Sequence, residues 1–216
     1  MTTTFASRSE AAVVREQIGH PFVSIIVPTL NEAPNAGRQA SALSRLPEAE
    51  AIFVDGGSCD GTLCEIESSL RGRPNLHFIK APRGRARQMN AGAQKAKGEW
   101  LIFLHADTTL PAESFYAFLQ TIKQPTCLSS GAFTFRVDHR RWTYRYLEFY
   151  VGLRSKLLKL PFGDQAIFVK RRLFQEIGGY REDFPLMEDV EIVQRLNRRE
   201  GFAVLDFPVY TSARRY

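Results

Sequence analysis

The sequence predicts an α/β fold, a largely parallel sheet with helices on both faces joined to a mixed C-terminal half. Three observations carry that prediction. Short apolar, β-branched runs recur along residues 22–104, as expected of strands covered on both faces. Segments with apolar residues at helical spacing separate them. The resulting β-α-β-α-β-α-β order implies right-handed crossovers within one sheet.

The elements follow in chain order. Phe22–Val27 (FVSIIV) is the first strand. Asn35–Leu46 then places Ala36, Ala40, Leu43 and Leu46 on one helical face, and Pro47 stops it. Ala51–Val54 is the second strand, and Asp60 is suited to cap the helix after it, whose inner stripe is Leu63, Ile66 and Leu70. Leu76–Lys80 is the third strand. Arg85–Lys97 is the third helix, with Met89, Ala93 and Ala96 on one face and Gly98 where a C-cap belongs. Trp100–Leu104 (WLIFL) is the fourth strand. Beyond it, Pro111–Lys123 reads as a helix, Gly131–Val137 as an alternating strand and Trp142–Leu160 as a long aromatic and basic helix. Ala166–Val169, Met187–Arg199 and Phe202–Val209 read as strand, helix and strand. With no internal repeat and no low-complexity linker, residues 21–216 form one domain with halves at 21–110 and 111–216, behind a flexible polar tail at 1–20.

Composition narrows the class. A chain of 216 residues with 44% hydrophobic and 24% charged residues is ordinary globular protein, not a disordered one. The net charge of +6 suits an anionic small molecule, an anionic membrane surface or nucleic acid, without choosing among them. Cys59, Cys64 and Cys127 form no metal-ligand pattern, and the odd count argues against a disulfide framework. They read as reduced, partly buried thiols of a cytosolic protein. Residues 1–20 lack the apolar stretch of a secretory signal. No segment approaches the about 18 consecutive apolar residues of a membrane span.

The chemistry lies where the strands end. In open α/β sheets ligands bind beyond the carboxyl ends of the strands. Each of the four apolar runs leads into a polar cluster: Pro28-Thr29-Leu30-Asn31-Glu32, then Asp55-Gly56-Gly57-Ser58-Cys59-Asp60-Gly61-Thr62, then Arg83-Gly84-Arg85-Ala86-Arg87-Gln88, then His105-Ala106-Asp107. Parallel strands put all four on one rim, which suits a charged, phosphate-bearing ligand with a metal. Asp55 at a strand end before two glycines points to ligand contact, while Asp60 reads mainly as a cap. Arginines at a helix N-terminus are unfavourable unless an anion is shared, so Arg83, Arg85 and Arg87 point to phosphate. Asp107, after so apolar a strand, suits a hard divalent cation that also takes diphosphate oxygens. Glu188-Asp189 opens a helix, where it either complements the dipole or supplies a general base. Gly163-Asp164-Gln165 either turns the chain or lines an acceptor site. Ser212-Ala213-Arg214-Arg215 either frays or clamps phosphate.

The six segments SIIVPTLNE, VDGGSCDGT, GRARQMNAGA, LHADT, GDQAIFV and MEDVE, in that order, resemble those of family 2 glycosyltransferases with the GT-A fold, and small bacterial biosynthetic members above all. The resemblance covers roughly residues 22–215, and six ordered motifs make it specific. It implies that Pro28, Thr29, Asn31 and Glu32 hold the nucleoside and that Asp55, beside Gly57, binds the nucleobase edge. Arg83, Arg85 and Gln88 would close over the nucleotide, with Asp164, Gln165 and Arg214 as further ligand contacts. Asp107 matches the metal-binding aspartate of the Asp-x-Asp motif, but this chain has His105 where many relatives have the first aspartate. Asp189, with Glu188 beside it, matches the catalytic base.

The expected activity is therefore an inverting, metal-dependent, hexosyltransferase-type transfer from a nucleotide sugar, with a UDP-sugar favoured and Mg or Mn at His105 and Asp107. The acceptor would be a lipid or glycan. The 21–110 half would bind the nucleotide sugar and the 111–216 half the acceptor. A cytoplasmic location follows, with peripheral contact at the inner face of the membrane if the aromatic and basic segment 142–160 lies at an interface and not in the core. Nucleic acid is not an expected partner, because carboxylates line the same rim. A sugar nucleotidyltransferase is the rival enzyme, but it needs a glycine-rich basic loop after strand one. A non-catalytic phosphate- or nucleic-acid-binding module is the other rival. A dehydrogenase fails for want of G-x-G-x-x-G after strand one.

Overall fold

A computed structural model describes residues 20–138, 151, 163–184 and 187–212. The N-terminal half alternates as expected: β1 (Val23–Thr29), α1 (Ala33–Leu43), β2 (Ala49–Asp55), α2 (Thr62–Leu70), β3 (Leu76–Lys80), α3 (Arg85–Lys95) and β4 (Trp100–Phe103). The second half runs β5 (Thr108–Thr109), α4 (Ala112–Lys123), β6 (Ser130–Val137), a 3₁₀ turn (Gly163–Gln165), β7 (Ile167–Lys170), α5 (Arg171–Glu176), α6 (Glu188–Asn197) and β8 (Phe202–Thr211). Apart from Val151, the expected helix at Trp142–Leu160 lies outside the described residues, as does the tail at 1–19.

All eight strands join one sheet in the order β3-β2-β1-β4-β7-β6-β8-β5. The first four are parallel, with Ile25 of β1 opposite both Ala51 of β2 and Ile102 of β4. From β7 the sheet turns mixed. β7 is antiparallel to both β4 and β6, β6 runs parallel to β8, and β5 lies antiparallel on the β8 edge. The second half therefore extends the first half's sheet.

Strand alternation sorts the core into two layers. Val23, Ile25 and Val27 face α1, α2 and α4, through Ala36, Ala40, Leu43, Ile66, Phe115 and Phe118. Ile26, Ile52, Val54, Leu101 and Phe103 face α3, α5 and α6, through Met89, Ala93, Phe174, Ile192 and Leu196. Trp100, Phe118 and Phe168 pack with ring centroids 4.9–6.1 Å apart and join β4, β7 and α4 in the first layer.

Three local expectations need correction. α3 ends at Ala96 with extended backbone, so Gly98 is not its cap. Gly98 is glycine because a Cβ there would lie 2.6 Å from the backbone nitrogen of Ser24, where the loop crosses β1. On α2 only Ile66 of the expected stripe is fully buried, since the helix lies at the margin of its layer beside the edge strand. Finally, the three cysteines are free but exposed, because Cys59 and Cys127 sit in loops and Cys64 on the outer face of α2. The capping role of Asp60 holds in a wider form. It accepts the Thr62 N–H at 2.9 Å and the Ala33 N–H at 3.2 Å, and so ties down the start of both α1 and α2.

Candidate active site

The loops after β1, β3 and β4 meet the start of α6 around a cleft of about 440 Å³ at the carboxyl edge of the parallel strands. Pro28, Thr29, Leu30 and Glu32 form one wall, Arg83, Gly84, Arg85 and Gln88 another, and His105, Ala106, Met187 and Glu188 the remainder. A larger cavity of about 570 Å³ opens at the opposite edge, around Glu50, His77 and Lys97. Size does not decide between them. The first cleft gathers the motif residues and sits at the switch side of the sheet where ligands of such folds bind.

Several predicted contacts hold the rim in shape. Thr29 is buried, with its hydroxyl directed to the Val54 carbonyl at 3.3 Å. Gln88 is buried and its amide nitrogen donates to the carbonyls of Thr29 and Val54 at 2.8 and 2.7 Å, pinning α3 across the ends of β1 and β2. Asn31, in left-handed conformation, accepts the Cys59 N–H at 3.0 Å and donates its own N–H to the Ser58 hydroxyl at 2.9 Å. The buried Asp55 carboxylate accepts the N–H groups of Gly57 and Ser58 at 2.8 and 3.0 Å and the Ser58 hydroxyl. Asp55 thus fixes the turn in this structure, and neither it, Asn31 nor Gly57 is among the residues lining the cleft. Glu32 receives the Asn35 side-chain amide at 2.9 Å.

The arginines divide. Arg83 and Arg85 line the cleft, whereas Arg87 points to Glu182 at 3.7 Å in an exposed pair. Arg85 donates to the buried Glu188 at 2.9 Å, so one anion shared with the arginine segment belongs to the protein itself.

His105 and Asp107 border adjoining pockets. His105 lines the cleft, Asp107 lines a neighbouring pocket of about 220 Å³ with Asp138 and Ser212, and Ala106 borders both. The segment is anchored from below by Gln39, whose amide nitrogen donates to the carbonyls of His105 and Thr108 at 2.9 and 3.0 Å. Among the described residues no group of three or more His, Cys, Asp or Glu side chains is placed to hold a metal ion. A closed protein cage is therefore excluded among them. The expected pair, the Asp107 carboxylate and the His105 imidazole, would need substrate oxygens and water to complete an ion's coordination.

Asp189 stands at the first turn of α6. Its Oδ2 accepts the Gly163 N–H at 2.6 Å and its Oδ1 the Val190 N–H at 2.9 Å. A Cβ added to Gly163 would lie 2.8 Å from Nε2 of His105 and 3.0 Å from Oδ2 of Asp189. The imidazole after β4 and the carboxylate of α6 therefore flank a single point. Asp164 and Gln165 follow in the 3₁₀ turn. Gln165 is buried and donates to the Phe133 carbonyl at 3.1 Å, while the Asp164 carbonyl accepts the Thr211 hydroxyl. Arg214 lies outside the described residues, whereas Ser212 donates its N–H to the Asp107 carbonyl at 3.2 Å.

Two participants escaped the sequence reading, and a third, Gly163, was read only within a segment that either turns the chain or lines an acceptor site. Gln39 sits mid-helix. Tyr180 is buried between α3 and α6, its ring edge-on to Phe103 at 4.9 Å and its backbone held by the Asn90 side chain. Burial, then the nearby Asp189 and Glu188 charges, push its phenol well above the ordinary tyrosine range, so it stays protonated beside the acidic pair. Gly178-Gly179-Tyr180 was the only signal of this turn, and it carries no chemistry by itself. Elsewhere, no helix among the described residues is long and apolar enough to cross a membrane.

Comparison with known proteins gives the family and the fold. The profile of the family described as glycosyl transferase family 2 matches residues 24–181. A PGL/p-HBAD biosynthesis glycosyltransferase of Mycobacterium bovis is 31% identical over 176 residues, covering 78% of this chain and 67% of the relative. Among solved structures, the mannosyltransferase PcManGT from Pyrobaculum calidifontis, in complex with GDP-Man and Mn2+, superposes with a TM-score of 0.70 at 19% identity. S. aureus TarS 1-349 in complex with UDP gives 0.72, also at 19% identity. The chain spans 57% of the mannosyltransferase and 60% of the TarS 1-349 fragment, while 89% and 88% of its own length is covered. The fold is that of GT-A glycosyltransferases, and the chain belongs to glycosyl transferase family 2.

Proposed function

We propose that this glycosyltransferase moves a sugar from a nucleoside-diphosphate sugar, with a UDP-sugar favoured, to a lipid or glycan hydroxyl with inversion at the anomeric carbon. The observation that carries the reading is the convergence of His105 and Asp189 on Gly163 beside the cleft holding Arg83 and Arg85. The Asp189 carboxylate, the Arg83 and Arg85 side of the cleft and the Asp107 segment lie toward one edge of the sheet, which supports reading them as base, anion-binding wall and metal segment. Solved relatives in complex with GDP-Man and Mn2+ or with UDP support the same class of donor.

The chain's own groups divide the work. Arg83, Arg85 and the start of α3 attract the diphosphate, where helix N–H groups and the dipole favour negative charge. Asp55 and the β1 loop would receive the nucleoside, which requires the Asp55 turn to exchange internal hydrogen bonds for ligand ones. Asp107, with His105, would hold a divalent ion, Mg or Mn, which when bound neutralises charge on the leaving diphosphate. Asp189 takes the acceptor hydroxyl proton as that oxygen bonds to the anomeric carbon and the bond to the diphosphate breaks. Its two backbone N–H partners orient the carboxylate beforehand. We place the reaction in the cytoplasm, at the inner face of the membrane if the acceptor is a lipid.

The test is nucleotide release from a panel of UDP- and GDP-sugars, run beside binding of the free nucleotides. Asp189→Asn is expected to bind nucleotide as the wild type does while turnover falls by about 10²–10⁴, the usual contribution of a positioned base. Near-wild-type turnover would remove Asp189 from that role.

A further inference from the structure

The pair Arg85–Glu188 links segments 103 residues apart across the cleft. Each member opens a helix, Arg85 as the first residue of α3 and Glu188 as the first of α6. Their surroundings differ sharply. The Glu188 side chain is 4% exposed and that of Arg85 is 43% exposed. A buried carboxylate is costly unless it is paired, and Arg85 is the hydrogen-bonding partner of its side chain among the described residues. The guanidinium has five N–H donors, and this contact leaves most of them to the cleft that both residues line.

The neighbouring pair shows what an ordinary surface contact looks like here. Arg87 and Glu182 are 3.7 Å apart and both about half exposed, the kind of pair that contributes little. Arg85 is held differently, by an acid that the fold keeps out of water. A cation in the first turn of a helix also works against the helix dipole, and no side chain caps the start of α3. One protein carboxylate meets only part of this demand for negative charge. Just before Glu188, Met187 is 58% exposed and adopts the left-handed conformation, with φ of 63°. Side chains rarely take that conformation, and such outliers persist where the surrounding structure over-determines them. Here it delivers Glu188 inward at the first helical position, with Asp189 next to it.

Resting on the nucleotide-sugar reading of the cleft, we propose that Glu188 is a donor-positioning residue. It holds the Arg85 guanidinium over the cleft so that the unused N–H donors meet the diphosphate, and it ties donor binding to the helix start that carries Asp189. Glu188 therefore acts on donor affinity through Arg85, whereas proton transfer is left to Asp189.

The experiment compares the affinities of UDP, GDP, uridine and guanosine for the wild type, Glu188→Gln, Arg85→Gln and the double variant, by calorimetry. Hydrogen bonds to charged groups contribute enough that each single variant should weaken the bound diphosphate about tenfold or more. The matching nucleoside should bind each variant as it binds the wild type. The double variant should lose no more than the worse single one, because both changes remove one interaction. A merely structural role would lower Tm without separating diphosphate from nucleoside. Unchanged or tighter diphosphate binding by Glu188→Gln, or fully additive losses, overturns the proposal and leaves the donor reading standing. If the wild type binds neither diphosphate, both fall together. Arg85→Gln changes the more exposed partner, so the test survives a Glu188 variant that fails to fold.

Discussion

A single methyl group at position 163 would reach both the imidazole of His105 and the carboxylate of Asp189. Gly163→Ala is therefore expected to push the two apart while leaving most of the core untouched. A misplacement of about 1 Å near reacting groups costs about 10²-fold in rate, so turnover should fall by that order while nucleotide affinity changes little. Comparing kcat and nucleotide Kd for the variant checks this. The same scale explains why parts of the site were hidden in the sequence. Gly163 has no reactive group to announce itself, and its importance is the absence of a side chain. Gln39 acts on carbonyls 66 and 69 residues away, which no local pattern reveals. Asp55 was legible as special, yet its carboxylate is engaged by the turn it begins.

At the scale of elements, close approach of α3 to the sheet sets the cleft wall. A Cβ on Gly92 would overlap Ile26 and come within 3.0 Å of Val54 Cγ2. Overpacking of this kind costs about 1–3 kcal/mol, so Gly92→Ala should lower the urea midpoint by a corresponding amount. It should also weaken nucleotide binding, because lifting α3 draws Gln88 away from the ends of β1 and β2. β1, β2 and β4 were readable because each is a buried apolar run flanked by breakers, whereas β3, at the sheet edge, buries only Leu76 fully. β5, only two residues long, and α5, only six, are too short for a periodic signal and depend on tertiary pairing. The mixed order of β7, β6 and β8 was equally out of reach, since it is fixed by long-range pairing such as Ser130 with both Val169 and Phe202.

For the molecule as a whole, the two edges of the sheet have opposite duties. The carboxyl edge gathers the cleft, while at the other edge Glu50 ties together three segments. It is buried, accepts the Ser24 hydroxyl at 2.6 Å and the Lys97 N–H at 2.7 Å, and lies 3.2 Å from His77. Burial by itself would raise its carboxyl, but hydrogen bonds from His77, Ser24 and Lys97 outweigh that and hold it below the usual range. A depressed carboxyl stabilises the fold above the ordinary glutamate value of about 4.3. That stabilisation is lost as pH falls through the depressed value. Glu50→Gln should thus cost about 1–3 kcal/mol near neutrality, and its deficit against the wild type should shrink below about pH 4. Urea titrations across that range check the sign. Turnover measured at neutral pH and moderate temperature should be little affected, because the cleft lies at the far edge.

Nucleotide-dependent thermal stabilisation tests the central claim most directly. UDP and GDP, with and without Mn2+ or Mg2+, would be compared with their nucleosides on the intact chain. A ligand at 100 times its Kd adds about 2.7 kcal/mol to stability, enough for a clear rise in Tm. One diphosphate should stabilise the protein more than its nucleoside does, the metal should enlarge the shift, and Asp107→Ala should remove the metal's share. No stabilisation by either diphosphate, with or without metal, would contradict it.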